Sequence, residues 1–409
     1  MCLVSPGHLS TNPRLVKEAR TLKGAGHRVS IVCGRYLDSG IEADLSLAQE
    51  LDPVTAVEFG PHAASWATYL RQGLFRKMAT FALRSGLRTQ ALLEMAQHPA
   101  VRDLQRATAL IRADLYIAHY VAALPAAAGA AQRHCAAYAF DAEDFHLGDL
   151  PDLPQHAFEK SLIKAIEGRY LPSAAFITAA SPMIADAYAI TYGVWPPVTV
   201  LNVFPRTNGP ARPAASGAHR PNPTLYWFSQ VIGPGRGLET ALRAVPLARA
   251  PLHLHLRGTL AIGYEQTLRD LAATLGIADR LHLHAPIAPD ALERDAVRFD
   301  LGYAGELPNS INRNMALTNK LFSYLTSGLP ILASDIPAHR ELAPQLGKAA
   351  ELFVSGDPTS LAAAIDRCLA SPEALTARRR HAWELGQNQF AWELEADKVI
   401  QLVQSCQQA

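Results

Sequence analysis

Residues 224–239 read TLYWFSQVIGPGRGLE, and the fold turns on this stretch. Leu225, Tyr226, Trp227 and Phe228 make a short apolar, aromatic run of the kind that forms a buried strand. Gly233-Pro234-Gly235-Arg236-Gly237 follows, where backbone can turn sharply and come close to a ligand. Beyond it, Leu238, Ala241, Leu242, Val245 and Ala248 fall on one face of a helix. Strand, glycine-rich turn and helix together offer free N–H groups and a positive helix end to a phosphate. Arg236 adds a guanidinium able to grip two phosphate oxygens in parallel. The loop is therefore expected to hold a phosphate or diphosphate. The competing interpretation is a plain strand-to-helix turn, since GPGRG lacks the G-x-G-x-x-G spacing and no Walker lysine follows.

Working outward, the same rhythm continues on both sides. Downstream, strands are expected at 252–256, 281–284, 301–303 and 331–333, with helices between them and closing helices at 361–369 and 392–403. Upstream, strands are expected at 2–5, 29–33, 55–59, 114–118, 136–140, 175–179 and 198–201. Asn12-Pro13 supplies a helix cap followed by proline at the first helical position. Alternating strands and helices imply parallel sheets in an α/β protein. Residues 206–223 (RTNGPARPAASGAHRPNP) are rich in Pro, Ala, Gly and Ser, as an exposed linker is. The expected plan is two Rossmann-like domains, 1–205 and 224–385, joined by the linker 206–223. A C-terminal helix segment, 386–409, is expected to cross back towards the first domain, and a ligand cleft is expected between the facing sheets.

Bulk properties narrow the function classes. With 409 residues the chain can bury two or three cores. A net charge of +1 argues against a general nucleic-acid binder, which needs a basic face. Five scattered cysteines with no CxxC or zinc spacing suit a reducing compartment. With no membrane-length apolar run and no signal peptide, the expectation is a cytoplasmic protein. Because the first strand starts almost at residue 1, a few native N-terminal residues are expected to be missing.

One segment departs from the rhythm. From Phe59 to Leu93 there is no acidic residue, while Arg71, Arg76, Lys77, Arg84 and Arg88 interleave with Trp66, Tyr69, Leu70, Leu74, Phe75, Met78, Phe81 and Leu83. Such a stretch, 66–88, either lies on the inner face of an anionic membrane or packs its apolar side on the domain. Gly73 and Gly86 favour packing, because they are expected to interrupt a single amphipathic helix.

Several of these residues carry a family likeness. Ser10-Thr11-Asn12-Pro13-Arg14, His119 after the 114–118 strand, the loop 229–237 and above all 319–335 (NKLFSYLTSGLPILASD) resemble the group-1 glycosyltransferases of the GT-B fold. The resemblance covers nearly the whole chain. It implies a mostly retaining, metal-independent enzyme that takes sugar from a nucleotide-diphosphate sugar, with no other cofactor. The implied acceptor is a glycan or lipid-linked hydroxyl in cell-surface glycan or glycolipid synthesis. In the family, two cations of the 229–237 loop hold the diphosphate. They fall here on Gln230, which is neutral, and Arg236. The family's two glutamates fall on Met315 and Ser323, so both carboxylates are absent, although Ser323 keeps a hydroxyl for ribose. Glu306, in a Gly-Glu-Leu-Pro loop, is the nearest substitute.

The expected donor-binding set is therefore Gly7, Ser229, Gln230, Gly233, Gly235, Arg236, Gly237, Glu306, Asn319, Lys320 and Ser323. Histidines and neighbouring residues near 281–287 are expected to border the base. The resemblance makes His119 the group facing the donor sugar, and Arg236, the backbone of Gly233–Gly237 and Lys320 are the candidates for stabilising the departing diphosphate. The acidic turn Asp141-Ala142-Glu143-Asp144 either meets the acceptor, as base or hydrogen-bond acceptor, or caps the following segment. Asp141 and Asp144 complete the candidate catalytic set. No metal is expected. Loss of both family glutamates leaves a second interpretation, a catalytically inactive nucleotide-sugar-binding protein. A nicotinamide-dependent dehydrogenase is disfavoured, because the first loop, SPGHLSTNP, lacks the dinucleotide fingerprint.

Overall fold

The computed structural model describes residues 1–213 and 222–408; residues 214–221 of the expected linker fall outside them. The chain divides into two compact units, Met1–Val200 with Ala396–Ala409, and Leu201–Glu395.

The first unit is built on seven parallel strands: β1 (Cys2–Val4), β2 (Ser30–Arg35), β3 (Val54–Glu58), β4 (Leu115–His119), β5 (Ala137–Ala142), β6 (Ile177–Ala179) and β7 (Val198–Thr199). Their spatial order is β3-β2-β1-β4-β5-β6-β7. All five residues of β4, LYIAH, are buried, as a strand covered on both faces requires. The helix Pro13–Gly24 starts where expected, with the Asn12 side chain accepting from Leu15 N at 3.0 Å. That helix buries not only Leu15, Val16, Ala19 and Leu22 but also Arg14, Lys17 and Glu18.

The second unit carries six parallel strands: β8 (Thr224–Ile232), β9 (His253–Leu260), β10 (Leu281–His284), β11 (Leu301–Ala304), β12 (Ile331–Ser334) and β13 (Ala350–Phe353). Their order is β10-β9-β8-β11-β12-β13. Trp227, Leu225, Leu254, Leu256, Leu301 and Leu332 anchor its core.

Three features differ from the sequence reading. β8 does not stop at Phe228 but runs on to Ile232, with a register shift between Phe228 and Val231 against β9. Glycine at 258 allows this, since a Cβ there would stand 2.3 Å from Ser229 O. β13 and the helix Pro372–Asn388 were not anticipated. The helix Trp66–Arg84 is continuous through Gly73, with Ser65 Oγ accepting from Thr68 N at its start.

Candidate functional site

The sheet of the second unit reverses its strand order between β8 and β11. At such a switch point the loops at the carboxyl ends part and leave room for a ligand. The loop Gly233–Gly237 follows β8, and Gly305-Glu306 follows β11. Gly237 has φ +69°, and a Cβ on it would stand 2.3 Å from Gly305 O. Only glycine lets these two loops touch. The Tyr303 hydroxyl donates to Gly237 O at 2.7 Å and fixes the turn.

Three cations gather around one carboxylate here. Glu306 is 4% exposed; its Oε1 lies 3.1 Å from Lys320 Nζ and its Oε2 2.8 Å from Arg313 Nη1. Burial pushes the Glu306 pKa up, but Lys320 and Arg313 outweigh it and hold the group at about 2. Lys320, at the start of the helix Asn319–Ser327, also stands 5.6 Å from the Trp227 ring centroid. Arg236 is the third cation. It is half-buried, and among the described residues it has no hydrogen-bond or ion-pair partner. Burial and then the charge of Arg313 lower its pKa, with Glu306 opposing. A guanidinium with unused donors, partly stripped of water beside another cation, is a site for an anion.

His339 adjoins this cluster. It is 1% exposed, and its Nδ1 lies 2.8 Å from Ser334 O, so Nδ1–H donates and Nε2 carries a lone pair. That nitrogen is buried with no hydrogen-bond partner among the described residues. Burial lowers the pKa of the ring, and both Glu306 and Lys320 act on it.

Of the expected donor-binding residues, the structure thus brings together Arg236, Gly237, Glu306 and Lys320, with Gly233 and Gly235 in the same turn. Ser229 and Gln230 lie instead on the bulged end of β8, where Gln230 is exposed. Asn319 begins its helix, half-buried. Ser323 is fully buried and donates to Glu293 Oε1 at 2.6 Å. Its hydroxyl is committed inside the unit rather than turned outward. The histidines near 281–287, His282 and His284, are half-buried and belong to a stack of rings. His253, His282, His255 and His284 stack in turn, with ring centroids 5.1, 4.3 and 5.2 Å apart. Arg313 and His339 were missed. The signal for Arg313 was Ser310, which caps the helix Ile311–Met315 by accepting from Arg313 N at 3.2 Å.

The first unit holds a second charge cluster, at the carboxyl ends of β4 and β5. Arg14 Nε and Nη2 donate to the two oxygens of Asp141 at 2.6 and 2.7 Å, and Nη1 donates to Val200 O at 2.6 Å. His119 lies between two carboxylates, with Nε2 2.9 Å from Glu18 and Nδ1 3.2 Å from Asp141. Thr178 Oγ1 also donates to Asp141. His119 and Asp141 are 1% and 2% exposed. These two residues, expected to face sugar and acceptor, are therefore enclosed in a buried ion network, because Arg14 and Glu18 turn inward from the first helix. Burial pushes the His119 pKa down, but Asp141 and Glu18 outweigh it and raise the group to about 9.

Next to this network the chain is strained. Tyr120 has φ +68°, a conformation that costs a non-glycine residue about 1–3 kcal/mol. Its hydroxyl reaches Glu143 Oε2 at 3.4 Å. Burial, then Asp144, raises the pKa of the half-buried Glu143. The backbone carbonyl of Asp144 accepts from Tyr188 Oη at 3.1 Å. Gly7 sits in the loop after β1, where its carbonyl accepts from Gly34 N at 3.0 Å. His8 Nε2 accepts from Tyr36 N and Leu37 N, both at 3.0 Å, while Nδ1 faces Asp44 at 2.8 Å, which fixes the loop.

Two parallel-sheet Rossmann-like units with these strand orders define the GT-B class of fold. Solved glycosyltransferase structures share it over nearly the whole chain. Alr3699/HepE of Anabaena, in complex with UDP-glucose, matches with a TM-score of 0.72 at 16% identity, over 99% of this chain and 100% of that one. Sucrose-phosphate synthase of Thermosynechococcus elongatus gives 0.73 at 15% identity, over 99% and 98%. The lipopolysaccharide outer core galactosyltransferase WaaB gives 0.61 at 11% identity, over 99% of both chains. No family profile matches the sequence, and no curated protein matches it in sequence.

Proposed function

We propose that this chain is a glycosyltransferase that moves a sugar from a nucleotide-diphosphate sugar to a hydroxyl acceptor. The observation that carries the proposal is the half-buried Arg236, without a partner among the described residues, in a cluster with Arg313 and Lys320 where the strand order of the second unit reverses. A diphosphate has the charge and the oxygens that this cluster lacks. HepE, which shares the fold, is described with UDP, with UDP and glucose, and with UDP-glucose, which supports a uridine-based donor.

The chemistry follows from charge. As the bond from the sugar carbon to the diphosphate oxygen breaks, negative charge grows on the departing group. Arg236, Arg313, Lys320 and the N–H groups of the 233–237 loop would stabilise that charge without a metal. The acceptor hydroxyl forms the new bond and gives up its proton. Glu143, half-buried beside the Tyr120 hydroxyl just after β5, is the proposed proton acceptor, and burial raises its pKa. Asp144 and Tyr120 are proposed to orient the acceptor. His119 and Asp141 act as positioning residues behind Tyr120. Retention of configuration and a glycan or lipid-linked acceptor, used at the cytoplasmic side, complete the proposal.

Thermal unfolding in the presence of uridine and guanosine diphosphates and their sugars tests it. A ligand at about 100 times its Kd should add about 2.7 kcal/mol of stability. If none raises the melting temperature, the proposal fails. Binding without sugar release to any acceptor or to water would favour the inactive binding protein, the interpretation that Met315 and Ser323 keep open.

A further inference from the structure

We propose that the outer face of the helix Trp66–Arg84 is a docking surface for an anionic lipid bilayer. The helix is held firmly by its inner side. Gln72 Nε2 donates to Glu58 O at 3.0 Å and to Asp103 at 2.9 Å, and Arg71 reaches Asp103 at 2.8 Å. Ala79 and Leu83 pack against Ala96 and Leu162. This anchoring already accounts for the packing that an amphipathic helix needs, yet the other face is apolar as well. Trp66 is 76% exposed, Leu70 45%, Leu74 57%, Met78 57% and Phe81 73%. Residues spaced by three and four positions lie on one side of a helix, so these five form a continuous stripe. No such stripe is required by the fold, and water disfavours it.

Charge selects the occupant. The segment from Phe59 to Leu93 contains no acidic residue, and Glu159, from another helix, is set there against Arg76, Lys77 and Arg84. Arg76, Lys77 and Arg84 are exposed along one flank of the stripe and line a cavity of about 680 Å³ together with Tyr69 and Phe81. Arg84 also lies 5.2 Å from the Phe158 ring centroid, which holds its charge close to that cavity. An aromatic residue at each end, aliphatic residues between and a basic flank are what a helix lying in the headgroup region presents. Lysine and arginine near an anionic surface add attraction that falls off within a Debye length. Among the described residues no helix is long and apolar enough to cross a membrane, so the contact would be superficial.

The test is flotation of the full chain with vesicles, without nucleotide, so its outcome is independent of sugar transfer. At low salt the chain should float with vesicles of phosphatidylcholine and phosphatidylglycerol but not with phosphatidylcholine alone. Trp66→Ser with Phe81→Ser should weaken partitioning at least about tenfold by removing buried apolar area. Lys77→Glu with Arg84→Glu should do the same, and raising the salt should mimic it. Leu110→Ser, at an exposed leucine elsewhere, should change nothing. The substituted side chains are exposed, and unchanged thermal unfolding would verify folding. Absence of flotation, equal flotation with neutral vesicles, or variants that float like the parent would each overturn the proposal. So would light scattering that shows a dimer broken by Trp66→Ser, which would assign the stripe to a second copy of the chain.

Discussion

The two charge clusters of this protein use similar side chains to opposite ends. In the first unit, Arg14 and His119 face Asp141 and Glu18, two cations against two carboxylates, all nearly inaccessible to water. In the second, Arg236, Arg313 and Lys320 gather around Glu306, and Arg236 is half-open with no partner among the described residues. Buried charges persist only when they are matched. The balanced cluster therefore serves position: it joins the first helix, β4, β5 and β6 behind Tyr120. The unbalanced cluster remains incomplete until an anion arrives. Charge balance and exposure, more than residue type, separate a structural network from a binding site.

The comparison predicts that the closed cluster dominates stability. Arg14→Ala leaves Asp141 buried with one cation fewer, and should cost about 3–5 kcal/mol in denaturant unfolding. Its effect on affinity for a nucleotide diphosphate should be small by comparison. A cost near zero would mean that the first cluster is not a matched buried network.

Acidity should separate the units next. The His119 pKa is raised to about 9. A base whose folded pKa lies above its unfolded value contributes stability that is complete below about pH 6.5. That contribution, about 3 kcal/mol, should be lost as pH climbs from about 6.5 through about 9, and His119→Gln should remove the dependence. The histidine stack of the second unit runs the other way. Burial, then the neighbouring rings, lowers His255 to about 3, and burial lowers His282 and His284. There the folded state resists protonation, so its stability should fall as pH drops below about 6.5. Unfolding monitored for each unit across this range would show whether the slopes have opposite signs.

Smaller effects sharpen the boundary of the open site. Ser323→Ala removes a buried donor from the Glu293 carboxylate and should cost about 1.5–3 kcal/mol of stability, with nucleotide affinity unchanged. Weaker nucleotide binding would return Ser323 to the donor site. Gln230→Ala, on the exposed end of β8, should shift both stability and affinity by less than about 0.5 kcal/mol.

Much of the fold was legible in the sequence, because apolar runs such as Leu225–Phe228 are long enough to outvote their surroundings. β13 was not. Its AELF stretch is only partly buried and carries Glu351, which pairs with Arg367 and Arg378. The extension of β8 past Phe228 was equally hidden, since it depends on Gly258 in another strand. In the second unit, Arg236 was named from its glycine-rich turn, and Glu306 and Lys320 alongside the family likeness. Arg313 was not, because its role exists only where the chain brings it to Glu306. The enclosure of His119 was unreadable for the same reason: Glu18 and Arg14 resemble ordinary helix surface until the helix is seen to turn them inward.

The central claim is that Arg236 lacks only an anion, and calorimetric titration of uridine and guanosine diphosphates into the parent and into Arg236→Ala tests it most directly. The parent should bind, and the variant should lose about 1.5–3 kcal/mol, the size of a charged hydrogen-bonding contribution. Arg236→Lys should recover part of that loss, since the charge returns without the two-pronged geometry. Equal affinity of Arg236→Ala and parent for the nucleotide that binds would contradict the account.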